Sequence, residues 1–398
     1  MWLRNRKTVM TKTVNRYYTE RSWIEGSAEE QLEAVAALPG VVSVSGFPDL
    51  HPGKNGPVGM VASAARLYPH LVGNDLGCGF GLFDLGIPAR KLRADKAEER
   101  MRAIAFSAPD DAAERLEEAG LPADLFRSAL GSIGGGNHFA ELTCVDESFG
   151  SDVGLGGNVL LLVHTGSRSL GTSVWENVLG RSDNIMEGID PLSELGGDWL
   201  ARQSEAVKWA ALNRRLIAEA VAEALRGDCE VICDVPHNLV VSDPIADGNI
   251  HRHYKGASRL LPGELAPIAG SRDSLSHFVR AAGVVKSDFG IAHGSGRKRD
   301  RASMHGRNGL KRSEREAFQR NQWGGRVICD DNALLVEEQA SAYKNPRHVL
   351  DDLVSAGLVE PVCSLRPIVT YKKAAETDAA AQRRADEKKK GRGRDGRR

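Results

Sequence analysis

A chain of 398 residues, 41% hydrophobic and 27% charged, can bury a sizeable core, and this composition excludes a fully disordered or membrane-dominated protein. The formal charge is zero but unevenly placed: residues 383–398 hold nine Lys/Arg against three Asp/Glu, leaving the remainder at −6, so an anionic polymer is expected only at this tail or near 297–320. Six scattered cysteines, no secretory h-region and no apolar run of about 18 residues lead us to expect a reduced, cytoplasmic protein without a membrane anchor.

Residues 1–22 are expected to be a peripheral segment. Leu32, Val35 and Leu38 recur at helical spacing over Glu29–Leu38, which stops at Pro39-Gly40. Val41–Val44 reads as a short strand and 46–59 as a loop. The stretch Gly73–Gly81 then sets Asp75 and Cys78 three residues apart on a backbone loosened by glycine. A carboxylate and a thiolate so placed can share a pair of metal ions. Residues 90–120 read as charged, solvated helix, and 131–141 as a second glycine-rich turn running into a strand.

Val159–Val163 is an unbroken apolar run of strand length that delivers His164. Trp199–Leu225 carries the strongest helical stripe. Glu230–Val235 reads as a buried strand ending at His237-Asn238, and Val284–Ala292 as another ending at His293. A helix over Leu350–Leu358 leads into a terminal strand, Val359–Tyr371, and 374–398 reads as a basic disordered tail.

Four histidines thus stand at element ends: His138 after three glycines and Asn137, then His164, His237 and His293. Strand ends are rigid mounts for chemistry. Singly, each is more often a satisfied core histidine; together with Asp75 and Cys78 they point to a site. Imidazole, carboxylate and one thiolate suit Mn²⁺, Zn²⁺, Fe²⁺ or Co²⁺ better than Mg²⁺ or Ca²⁺. His293 differs from the rest. Gly294 and Gly296 leave room for a phosphate, and Arg297, Lys298, Arg299 and Arg301 would neutralise one, a setting for a nucleophile rather than a metal ligand. Other chemistries lack their signatures: Gly53-Lys54 is followed by Asn55, so there is no P-loop, and there is no His-Glu-x-x-His helix, Cys-x-x-Cys pair or dinucleotide fingerprint.

In combination the motifs resemble one family. Asp75-Leu-Gly-Cys78-Gly, Gly134-Gly-Gly-Asn137-His138-Phe139-Ala140-Glu141, His164-Thr-Gly-Ser-Arg168, His237-Asn238 and His293-Gly294-Ser295-Gly296-Arg297 look like successive motifs of the RtcB family of RNA ligases. Pro48-Asp49-Leu-His51, Asn213-Arg214, Lys255-Gly256-Ala257 and the stretch from Glu338 to Tyr343-Lys344 match as well, in order from about 23 to 372. The resemblance implies a single compact catalytic domain of mixed α/β (α+β) class over residues 23–373, with a metal-lined cleft. It implies an enzyme joining an RNA 3′-phosphate or 2′,3′-cyclic phosphate to a 5′-hydroxyl, using GTP and two Mn²⁺ ions. One ion would be held by Cys78, His164 and His237, the other by Asp75, Cys78 and His138. His293 would attack the α-phosphorus of GTP and carry the guanylyl group. Asn137, His138, Phe139, Ala140, Glu141, His237, Asn238, Ala269, Gly270, Ser271, Arg272, Ser276, His293, Gly294, Ser295, Gly296, Tyr343 and Lys372 would surround the nucleotide, with Glu141 accepting from guanine N–H groups.

The short length resembles a compact branch of the family associated with a peptide-release-factor homologue, which implies such a partner and repair of damaged RNA. The segment Ala269-Gly270-Ser271-Arg272-Asp273 departs from the family's usual Pro-Gly-Ser-Met-Gly. Two other readings stay open on the residues alone. One is a metal-dependent phosphodiesterase or cyclic-phosphate hydrolase using the same Asp/Cys/His group; the other is a non-catalytic RNA-binding protein working through its tail. His293 in its Gly/Arg setting separates ligase from hydrolase, because a hydrolase needs no covalent nucleotide.

Overall fold

The computed structural model describes residues 13–150, 154–245, 248–304 and 310–374. In chain order its strands are β1 Thr13–Arg16, β2 Val41–His51, β3 Val58–Ala64, β4 Gly79–Pro88, β5 Phe139–Ser148, β6 Asn158–Thr165, β7 Glu230–Pro236, β8 Asn238–Ile245, β9 Gly248–Lys255, β10 Ala257–Arg259, β11 Leu265–Ile268, β12 Ser276–Ala281, β13 Gly290–Ala292, β14 Arg326–Cys329 and β15 Val359–Lys373. One sheet runs β1-β2-β3-β9-β8 and a larger one β11-β12-β15-β5-β6-β4-β7, with β14 added alongside β15; β10 and β13 form a small ribbon. Helices pack around both sheets, so the class is mixed α/β. Among the described residues no helix is long and apolar enough to cross a membrane.

β6 shows why the fold arises from this sequence. It lies between β5 and β4, with both faces covered, so its alternation is hidden beneath a continuous apolar run. Val159, Leu161 and Val163 pack with Ile217 and Val221 of the long helix Glu194–Leu225. Leu160 and Leu162 pack on the opposite face with Phe80, Phe278 and Leu365. Strand alternation places His164 on this second face, where its ring stacks on Phe80 at 4.3 Å between centroids. The long helix starts at Ser193, whose hydroxyl accepts from Gly196 N at 3.1 Å, and ends at Arg226 in a left-handed conformation.

Several expected elements differ. β2 continues through the 46–51 part of the expected loop and buries most of it, pairing with β3. β7 is not a buried strand: it is the edge of the larger sheet, half-exposed, with Val231 open to solvent. The stretch 284–292 is not one strand. A single 3₁₀ turn at Val284–Ser287 is followed by Asp288 and Phe289 at φ of 55° and 61°, and only Gly290–Ala292 is extended. Residues 13–22, expected to be peripheral, belong to the body. β1 pairs in parallel with β2, while Thr19 and Ser22 hydroxyls donate to the Asp352 carboxylate at 2.7 and 2.6 Å. Residues 1–12 and the basic tail from 375 onward lie outside the described residues.

Candidate active site

The loop Asp75–Cys78 is stitched into place from three sides. Gly77 N donates to Asn238 O at 2.8 Å, His237 N to Cys78 O at 2.8 Å, and Ser167 N to Leu76 O at 3.1 Å. Gly77 sits at φ +68° with its backbone against the long helix, where a Cβ would come within 2.7 Å of Val207 Cα. From that helix the fully buried Arg214 donates to Gly77 O and Thr165 O, both at 2.8 Å, and is held by Asp234 at 2.5–2.6 Å. One guanidinium therefore braces both the Cys78 loop and the end of β6.

The result is a cage of donor atoms. Cys78 Sγ lies 3.3 Å from His164 Nε2 and 3.5 Å from His138 Nε2. His138 Nε2 is 3.0 Å from an Asp75 carboxylate oxygen, and His164 Nε2 is 3.3 Å from His237 Nε2. His164 Nδ1 donates to Asn137 O at 3.2 Å, which leaves its Nε2 as a bare lone pair facing the others. Burial first, then the neighbouring imidazoles, pushes His164 and His237 far below the usual histidine range, so both are in the neutral, ligating form. Burial, then Asp75, pushes the Cys78 thiol up. Burial also raises Asp75, but His138 outweighs it and holds the carboxyl below its ordinary value. Imidazole nitrogens, a carboxylate oxygen and a sulfur thus converge at 3.0–3.5 Å separations around one point. A divalent ion there would displace the shared protons and stabilise the thiolate, so the residues present fit the metal centre the family implies.

Beside the cage, the His293 ring lies 4.6 Å from that of His237. Asp49, buried on β2, takes both the His293 backbone N–H at 3.1 Å and Nδ1 at 2.6 Å on one carboxylate oxygen. A cavity of about 680 Å³ opens here. Cage residues Asp75, Cys78, His164 and His237 line it together with His293 and the backbone of 294–296.

Another part of the cavity lining follows from strand alternation. Phe139 and Glu141 on β5, with Thr370 and Lys372 on β15, face the cavity. Thr370 Oγ1 donates to Glu141 at 2.5 Å, and burial pushes the Glu141 carboxyl up to about 7. Lys372 Nζ reaches Gly136 O and the Glu338 carboxylate, both at 3.2 Å. Burial acts to raise Glu338, but Lys372, the Tyr343 hydroxyl and Arg297 outweigh it and bring it to about 2.

A family model described as "tRNA-splicing ligase RtcB" matches residues 31–124 and 110–373. The chain is 40% identical over 362 residues to the "RNA-splicing ligase RtcB2" of Escherichia coli (strain ATCC 25922), covering 88% of this chain and 93% of that protein. It belongs to the RtcB family of RNA ligases. It is also 27% identical over 434 residues to the "RNA-splicing ligase RtcB" of Mycobacterium tuberculosis, across 85% of this chain and 99% of that one. With the "tRNA-splicing ligase RtcB" of Pyrococcus abyssi the match is 29% over 305 residues, only 32% of that longer protein. The chain is therefore an RNA ligase.

Of the RtcB-type positions expected from sequence, the five cage residues and His293 converge in one place. Asn137, Phe139, Glu141, Asn238, Ala269, Gly270, Ser271, Arg272, Gly294, Ser295, Gly296, Tyr343 and Lys372 line the same cavity. Three do not. His138 stands behind Cys78 and Asp75, Ala140 faces the core beneath the long helix, and Ser276 Oγ accepts from Gly270 N at 3.0 Å to shape the 270–276 turn. Arg272 lines the cavity but spends one donor on Leu335 O at 2.8 Å. Arg297 is taken up by Glu338 at 3.1 Å and by the Tyr343 ring, while its neighbours Lys298 and Arg299 line the cavity with no carboxylate partner among the described residues. Sequence reading assigned no role to Asp49, Arg214 or Glu338, although all three lay in stretches that resembled the family. Their signal, an acid or arginine within an otherwise apolar or Gly/Pro-rich segment, becomes readable only once burial is known.

Proposed function

We propose that this ligase consumes GTP, depends on Mn²⁺, and joins an RNA 3′-phosphate or 2′,3′-cyclic phosphate to a 5′-hydroxyl through guanylylated His293. The observation that carries the reading is the bond from His293 Nδ1 to buried Asp49. It fixes the proton on Nδ1 and leaves Nε2 as the nucleophilic lone pair beside the cage. Nε2 attacks the α-phosphorus, a P–N bond forms, the P–O bond to pyrophosphate breaks, and Asp49 stabilises the resulting imidazolium. An oxygen of the RNA 3′-phosphate then displaces His293 from the guanylyl phosphorus. The 5′-hydroxyl attacks the activated 3′-phosphate, and GMP leaves. A cyclic phosphate is first opened by water. Cys78, His164 and His237 would hold one ion and Asp75, Cys78 and His138 the other, neutralising phosphate oxygens. Lys298 and Arg299 add charge for the same phosphates, while Glu141 accepts from the adjacent N1–H and N2–H of guanine, a donor pair that adenine lacks.

We further propose that the work is repair of broken RNA in the cytoplasm. A release-factor-like protein as partner rests on the compact length alone, and co-purification from the native host tests it. The direct test of the mechanism is incubation with α-labelled GTP and Mn²⁺ followed by denaturation. Acid-labile, base-stable label mapping to His293 is expected, with none on His293→Ala and slowed labelling on Asp49→Asn. Undiminished label on His293→Ala overturns the assignment.

A further inference from the structure

A second cavity, of about 860 Å³, adjoins the active-site cavity, and Ser271, Lys298 and Tyr343 belong to the walls of both. Its floor holds a buried cross-strand pair, His277 on β12 and Ser364 on β15, with the exposed Glu147 beyond Ser364 on β5. His277 is 3% exposed and Ser364 1%, yet neither His277 nitrogen nor the Ser364 hydroxyl has a hydrogen-bond partner among the described residues. Burial keeps His277 neutral, so it offers one donor and one acceptor. Buried polar groups left unpaired in this way cost stability unless a ligand completes them.

The rim supplies two indoles. Trp23 is 45% exposed, and Lys298 Nζ sits 5.8 Å above its ring; Trp323 stands on another wall, and Arg21 lies at the rim. Trp23 is held there by the adjoining residues Thr19 and Ser22, which are clamped to Asp352. An exposed indole, a half-buried one, cations at the wall and an unsatisfied polar floor are the combination that receives an unstacked nucleobase.

We infer that this second cavity seats a base of the RNA strand within a nucleotide or two of the end being joined, with Trp23 and Trp323 stacking on it and His277 and Ser364 bonding its edge. The inference rests on RNA being the substrate of the proposed reaction. It is independent of whether His293 is guanylylated.

The test uses the full chain loaded with Mn²⁺ and a series of single-stranded oligoribonucleotides lengthening away from a 3′-phosphate. Wild-type affinity is expected to climb as the second and third nucleotides are added. In the Trp23→Ala/Trp323→Ala double variant this gain is lost, by about tenfold, and Ser364→Ala alters the preference among bases. Thiouridine placed next to the terminal nucleotide is expected to crosslink to peptides containing Trp23 or Trp323. Equal affinities of wild type and double variant at every length overturn the inference, as do crosslinks that map away from this cavity. If the length-dependent gain persists while GTP labelling of the wild type is absent, the base site stands and the proposed guanylylation fails.

Discussion

His164 and His253 are equally hidden, at 2% and 0% exposure, and burial drives both far below the ordinary histidine range. Their nitrogens meet opposite surroundings. His253 Nε2 accepts from Tyr68 N at 2.8 Å, and its Nδ1 meets the carbonyls of Ala62 and His251 at 3.1 and 3.0 Å. Both nitrogens are satisfied by backbone, and the residue is a strut between β9 and the turn before Pro69. His164 satisfies only Nδ1 in this way, and its Nε2 faces a sulfur and another imidazole nitrogen. Burial and a depressed pKa are shared by structural and functional histidines. What distinguishes His164 is an Nε2 that meets other metal-ligating atoms instead of a backbone partner.

Substitutions at the two places should separate accordingly. The largest effect is expected at Cys78→Ala, which removes the donor shared by both halves of the cage. Ligation should fall about 100-fold or more, beyond what loss of an outer-shell partner costs. Added Mn²⁺ should no longer raise the melting temperature, as it is expected to for wild type. An unchanged Mn²⁺-dependent shift in this variant would place the metal elsewhere. His253→Ala should do the reverse: a loss of about 2–4 kcal/mol of stability by urea titration, from the cavity and the orphaned Tyr68 N–H. Its melting temperature should still rise with Mn²⁺. A loss of metal response without loss of stability would erase the contrast.

The smallest effect concerns Glu141, whose folded carboxyl titrates near 7 against an ordinary value of 4.5. A raised carboxyl binds more protons folded than unfolded over that interval, so its stabilising share is complete below about 4.5 and is lost as pH rises through 7. The melting temperature of wild type should therefore fall relative to Glu141→Gln between pH 5 and about 8. Parallel pH profiles would show that Glu141 is ionised throughout.

The parts of the molecule legible in sequence were those whose local pattern and tertiary role agree. β6 is long, apolar and buried on both faces, and the long helix carries its stripe through to Leu225. The five cage donors were legible because Asp, Cys and His at strand ends and glycine turns are chemically conspicuous. Asp49 was not, because Phe47-Pro48-Asp49 reads as loop; its role comes from a bond to a residue 244 positions away. Asp288 defeated the strand expected at 284–292 for a similar reason. Hydroxyls of Ser43, Ser45 and Ser63 hold its carboxylate at 3.0–3.2 Å, and the backbone turns left-handed there. β7 reads as buried because Val231, Ile232 and Val235 are apolar, but an edge strand has no neighbour to cover its outer side. Trp23 borders the expected periphery, and only the Asp352 clamp on Thr19 and Ser22 fixes where it is held.

The central claim is that Asp75, Cys78, His138, His164 and His237 hold metal next to His293. Anomalous diffraction at the manganese edge, from crystals of the full chain grown with Mn²⁺, tests it most directly. Two peaks are expected, both in contact with Cys78 Sγ, one flanked by His164 and His237 and the other by Asp75 and His138. Manganese bound only at other positions, with this cage empty, would contradict the account.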